Sequence, residues 1–262
     1  MEKGKKDLRQ AVLKLFKEKT KKECYEIKII RKKGQEPSIL DDKVGGNPYL
    51  PKNEAYPIGK SSGDPLPLLL QLNLSHIKLP GYPNKGILEI FMDNKGYPTD
   101  YEIKYFKTVD EKNYQKEFPK LNFDTKNPLY FEKCYKIKLI KTYDYMYSLD
   151  YRFNELLLSI VNKVYGLKLK ELDDFEEDDD DVWEEYIHNN IKGLECTFGG
   201  YPDFTQQDPR ESDAKRGDEC LLKMESIGDE YFGDLGVVSV LIDKKYIKSK
   251  KFEKGVLDWD CT

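Results

Sequence analysis

Gly45-Gly46-Asn47-Pro48-Tyr49-Leu50 and Gly199-Gly200-Tyr201-Pro202-Asp203-Phe204 are two versions of one phrase, a Gly-Gly-x-Pro turn followed by a large apolar residue. Each leads, after a polar segment, into an apolar run: Leu68-Leu69-Leu70-Gln71-Leu72-Asn73 in the first copy, Cys220-Leu221-Leu222-Lys223-Met224-Glu225 in the second. A loop later, Gly86-Ile87-Leu88-Glu89-Ile90-Phe91-Met92-Asp93 is answered by Gly236-Val237-Val238-Ser239-Val240-Leu241-Ile242-Asp243. Three matches in the same order predict an internal duplication. In physical terms, Gly-Gly frees the backbone for a tight turn or a close approach, Pro fixes the exit, and the two apolar runs are neighbouring buried strands. Two such units are expected to pack about a pseudo-twofold axis.

Outward from these blocks, further strands are predicted at 25–29, where apolar and charged residues alternate, and at 101–107 and 135–142, each bounded by turn residues. Helical spacing of Leu8, Val12, Leu15 and Phe16 predicts an opening helix over 6–17. A second is predicted over 151–165, with Gly166 as its stop, and a short third begins at Val182. The expected fold is therefore α+β, with mostly antiparallel curved sheets and a few flanking helices. It forms one domain over 1–262, with repeats at about 43–142 and 194–262 joined by a helix and an acidic linker, 149–192.

With 262 residues, 39% hydrophobic and 13% aromatic, the chain is long enough to build a core without metals or disulfides. A net charge of −4 gives no general attraction to a phosphate backbone, so nucleic acid is not an expected partner. No apolar stretch reaches the length of a membrane span, and no membrane partner is expected. Five scattered cysteines without a C-x-x-C pair point to reduced thiols and a cytoplasmic location. Charge is uneven: lysines crowd the first 22 residues, and an acidic run fills 171–185. The simplest reading of each block is a solvated face, with Asp173 to Asp181 as a mobile loop.

The same blocks resemble the YwqG family, bacterial proteins whose function is not established. The resemblance rests on Gly45-Gly46-x-Pro48-x-Leu50-Pro51, Tyr56-Pro57, Pro65-Leu66 and Leu70-Gln71-Leu72-Asn73-Leu74. In the second half it rests on Gly199-Gly200-Tyr201-Pro202, the Gln206-Gln207-Asp208 stretch and Gly233-Asp234-x-Gly236. It runs from about Lys43 to Thr262. Tyr56 and Phe232 stand where relatives carry Trp. The resemblance implies a duplicated α+β fold and transfers no chemistry.

Signatures of dinucleotide, P-loop, α/β-hydrolase and zincin sites are absent from the sequence, and no cofactor or metal site is expected. Catalytic residues are not assigned. The candidate ligand-binding residues are Gln71 on the first repeat strand and Asp208, Arg210 and Asp234 in the second repeat, polar groups beside Gly-rich turns that would converge between the halves. Against this, Asp208 suits an N-cap, Asp234 an Asx-type turn, and Gln71 a buried amide tie. Two functional readings follow. The leading one is a non-enzymatic protein-binding module, antitoxin-like or immunity-like. Its rival is a small-molecule binder or hydrolase-type enzyme with a cleft between the repeats.

Overall fold

The apolar runs pair into a ten-stranded sheet in the computed structural model, which describes residues 2–30, 36–94, 98–121, 123, 133–175, 182–227, 230–232 and 234–261. The chain opens with helix α1 (Glu2–Thr20), then strands β1 (Lys22–Ile29), β2 (Lys43–Val44), β3 (Leu68–Asn73), β4 (Ile87–Met92), β5 (Tyr101–Phe106) and β6 (Tyr135–Asp144). Helices α2 (Phe153–Tyr165) and α3 (Val182–Asn190) follow. The chain then returns to sheet with β7 (Cys196–Gly199), β8 (Glu219–Met224), a small ribbon of β9 (Ser226–Ile227) and β10 (Glu230–Tyr231), β11 (Val237–Ile242), helix α4 (Lys244–Ser249) and β12 (Val256–Asp260).

Strand order is β12-β11-β8-β7-β1-β6-β2-β3-β4-β5, and every pairing among the described strands is antiparallel. The predicted apolar strands lie where expected, and β6 runs two residues further than predicted. Strands β2, β7, β9, β10 and β12 have no counterpart in the expected strands: β2, β9 and β10 have only two residues each, too few for a period-2 pattern to register. Gly45, Gly46, Gly199 and Gly200 all have φ between 70 and 86°, the left-handed region that the paired glycines were expected to occupy.

The sheet curls so that strands from both ends share one core. Leu70, Leu88, Ile90 and Ile103 pack in the same cluster as Leu222, Val238, Val240 and Leu257. At the seam, Tyr105 meets Phe252 edge-on at 5.2 Å. A Cβ on Gly255 would stand 2.8 Å from Ile103 Cδ1 and 3.2 Å from Val240 Cγ1, so the lack of a side chain there lets the two ends approach.

Residues 149–192, expected as a joining segment, carry α2 and α3 and build a second core with α1. Val12 and Phe16 of α1 bury against Phe153, Leu157, Ile160 and Val161 of α2 and Trp183 and Ile187 of α3. Gly166, at φ 68°, ends α2 as predicted, its N–H donating to the Asn162 carbonyl. The two charged blocks are neighbours: Lys17 Nζ donates to the Asn190 carbonyl at 2.7 Å, and Arg9 lies over the Trp183 ring. The start of the acidic run is structured, since Leu172–Asp174 forms a turn of 3-10 helix and Phe175 packs against Tyr165 and Trp183. The remainder of the expected mobile loop, 176–181, lies outside the described residues.

Candidate functional site

A period-2 strand sends alternate side chains to opposite faces, so polar residues at matched registers line up across a sheet. In the first half Lys43, Gln71, Glu89 and Lys104 are direct cross-strand neighbours. In the second half Thr197, Lys223, Ser239 and Asp258 are. Most of these side chains are buried on the face opposite the shared core, an arrangement that costs free energy unless each group finds a partner.

Lys223 is fully buried, between Leu222 and Met224, which point into the core. Its Nζ donates to Tyr147 Oη at 2.5 Å, lies over the Tyr147 ring, and stands 3.7 Å from Glu225 Oε1. Tyr147 Oη also accepts from the Leu194 N–H and donates to Asp144 Oδ1 at 2.9 Å. The other Asp144 oxygen accepts the Tyr201 N–H at 2.9 Å, which anchors the second Gly-Gly turn. Burial, with the Asp144 charge beside it, pushes the Tyr147 phenol well above its usual range.

Beside this network opens a cleft of about 360 Å³ between α3, the segment before α2 and the second half of the sheet. Its walls are apolar: Met146, Leu149, Phe153, Ile187 and Leu194. Its polar lining is acidic, from Glu184, Glu195, Asp203 and Glu225, with His188 on α3. Asp203 is the residue before Phe204 in the second Gly-Gly phrase. Its Oδ1 accepts the Phe204 N–H, while Ser239 Oγ donates to its backbone carbonyl. Burial raises the Asp203 carboxyl above the ordinary range. Burial, abetted by the Asp203 and Glu195 charges, raises Glu225 to about 7 against the pull of Lys223.

Asp208 and Arg210 meet in a buried clasp. Arg210 Nε donates to both Asp208 oxygens at 2.9 and 3.1 Å, and its Nη2 reaches Asp208 Oδ2 at 2.5 Å and Asp150 Oδ2 at 2.8 Å. Asp150 is held in turn by Arg152, and Asp208 Oδ2 accepts the Tyr151 N–H. Burial works against the Arg210 charge, and the bonds and fields of Asp208 and Asp150 outweigh it. The clasp ties the loop after β7 to the start of α2.

Gln71 sits in the other half with its amide spent. Its Oε1 accepts the Tyr49 N–H at 2.7 Å and its Nε2 donates to the Ile39 and Asp41 carbonyls. Asp234 is exposed in the turn before β11. Of the two histidines, His76 pairs with Asp42 at 2.6 Å on the surface and His188 faces the cleft. Burial pushes the Cys24 and Cys220 thiols up to about 12, leaving both in the unreactive protonated form at neutral pH. Among the described residues no group of three or more His, Cys, Asp or Glu is placed to hold a metal, and no helix is long and apolar enough to cross a membrane.

Sequence reasoning passed over Tyr147, Asp144, Asp203, Lys223 and Glu225. The available signal was a charge inside an apolar strand, Leu221-Leu222-Lys223-Met224, which an isolated strand cannot bury without partners from elsewhere.

Fold and site together define an α+β protein: a curled antiparallel sheet whose second half carries an acidic, apolar-walled cleft under a helical layer. The chain belongs to the family described as Domain of unknown function (DUF1963), which matches residues 42–261. No curated protein matches the sequence.

Proposed function

We propose that this protein is a non-enzymatic binding protein and that the cleft beside Tyr147 is where it holds a cationic group. One observation carries the reading. Asp203 and Glu225 are carboxyls that burial raises above their ordinary range beside a cleft, and the nearby Lys223 ammonium, 3.7 Å from Glu225 Oε1, gives its short hydrogen bond to Tyr147 instead. A cation entering the cleft would relieve both, and the apolar walls would cover its stem. The Asp208–Arg210 clasp serves this site by fixing the loop that presents Asp203. An antitoxin-like or immunity-like role in the cytoplasm, with a protein as the bound partner, is the cellular setting we attach to this reading.

The same reading treats the scaffold as duplicated and YwqG-like. Its support is the symmetry of the strand order: outward from the central β1–β6 pair run β2, β3, β4, β5 on one side and β7, β8, β11, β12 on the other. The rival reading, a hydrolase-type enzyme working between the repeats, has less behind it. The buried thiols are held protonated, and the Tyr147 oxygen already serves Lys223, Leu194 and Asp144.

Calorimetric titration with n-butylamine and, in parallel, n-butanol tests the proposal. The expected result is binding of the ammonium alone, strengthening as pH rises through about 7 while Glu225 ionises, and lost in Glu225→Gln. Equal binding of the alcohol, or ammonium binding indifferent to Glu225→Gln, would overturn it.

A further inference from the structure

We infer that the cation this cleft receives is a lysine side chain presented by a polypeptide partner. The inference rests on the cleft reading above and adds the identity of the occupant.

Asp203 Oδ1 is taken by the Phe204 N–H, both oxygens of the neighbouring Asp144 are taken by Tyr147 and Tyr201, and Glu225 Oε1 faces Lys223 Nζ at 3.7 Å. The acceptors left to a ligand therefore come from separate carboxyls on separate elements, Asp203 in the loop after β7, Glu225 at the end of β8 and Glu195 before β7. A guanidinium gains most from two parallel bonds to one carboxylate, whereas an ammonium radiates three rotatable donors to acceptors in different directions. This lining suits the ammonium.

Met146, Leu149, Phe153 and Ile187 give the cleft an apolar length that a compact inorganic cation would leave wet, and that a four-carbon side chain covers while its charged end reaches the acids.

The wall does not stop at the mouth. Leu149, which lines the cleft, is 38% exposed, and Tyr151, two residues on, is 47% exposed. Leu149 thus carries the apolar wall from the opening onto the outside of the protein, and the exposed Tyr151 ring lies 5.3 Å from the guanidinium carbons of both Arg152 and Arg210. A free diamine makes no use of that surface, whereas residues flanking an inserted lysine would lie on it. Exposed aromatic and aliphatic anchors beside a charged pocket are the usual composition of a recognition surface.

The test uses the full chain and a pool of hexapeptides with a fixed central lysine and randomised flanks. A matched pool carries norleucine instead of lysine, and 1,5-diaminopentane is titrated separately. We expect selection of lysine peptides with apolar flanks, and loss of binding for their norleucine counterparts. Affinity should fall about tenfold or more in Glu225→Gln, and by a smaller factor in Leu149→Ser and Tyr151→Ser. Thermal melting of each variant verifies that it is folded, and the norleucine control needs no protein variant at all. If diaminopentane binds as tightly as the best peptide and the two rim variants change nothing, the polypeptide inference falls while the cation cleft stands. If neither lysine peptides nor diaminopentane bind, both readings fall.

Discussion

Tyr49 and Asp203 occupy the same place in the two Gly-Gly phrases, and each lies over a buried polar row, yet they treat that row in opposite ways. In the first half the Tyr49 ring is 1% exposed, packs edge-on against Phe106 at 5.8 Å, and accepts the Asp110 N–H on its phenol oxygen. Beneath it the neutral Gln71 holds the Tyr49 backbone. Glu89 lies fully buried, with neither carboxyl oxygen hydrogen-bonded among the described residues. Burial drives that carboxyl well above its ordinary range, against the opposing pull of Lys43. In the second half a carboxylate replaces the tyrosine, Lys223 replaces Gln71, and Ser239 replaces Glu89; there Asp203 itself lines the cleft. An aromatic roof closes the row against solvent, whereas an acidic one leaves a charged surface that a ligand can complete.

Four measurements would break or sharpen that contrast. The largest effect belongs to the clasp that holds the open half's roof. Arg210→Met leaves Asp208 buried without its cation and should cost about 3–5 kcal/mol in urea unfolding, because an uncompensated buried charge is worse than a missing pair. Next, Tyr49→Ala removes a fully packed ring and should cost about 3–4 kcal/mol, while Asp203→Ala at the matching position should stay within about 1 kcal/mol. Equal costs would mean that both roofs are structural plugs.

Third, Gln71→Leu strands the Tyr49 N–H and two carbonyls, and should cost about 1–3 kcal/mol without altering ligand binding in the other half. The smallest effect is a pH dependence. Glu225 rises from an ordinary value of 4.5 to about 7 in the folded protein, so its favourable contribution is complete below 4.5 and is lost as pH climbs through about 7. Glu225→Gln should therefore melt with the wild type in acid and slightly above it at pH 8. Glu89→Gln should follow the same sign.

Much of this fold was legible because its elements advertise themselves locally. The stripe Val12, Leu15, Phe16 and the alternation Tyr25-Glu26-Ile27-Lys28-Ile29 each show one period cleanly, and the Gly-Gly phrases mark turns that only glycine adopts easily. The candidate site was less legible. Gln71 and the Asp208–Arg210 pair are polar residues beside turns, and the structure ties the Gln71 amide to three backbone groups and Arg210 Nε and Nη2 to Asp208 and Asp150, while the buried Arg210 Nη1 has no hydrogen-bond partner among the described residues. Tyr147, Asp203 and Lys223 meet only after β6, the loop after β7 and β8 are brought together. No window of sequence contains that juxtaposition, though the lone lysine in an apolar strand hinted that partners must come from afar.

The position of β1 sets the order in which the molecule can assemble. Residues 22–29 lie between β6 at 135–144 and β7 at 196–199, bonded to both although both follow by more than 100 residues. On the ribosome this strand waits, unpaired on both edges, until distant segments emerge, and such long-range closure is slow. Its charged Lys22, Glu23, Glu26 and Lys28 would discourage pairing with a neighbouring chain while both edges are open. The centre of the finished sheet is thus written in the idiom of an edge.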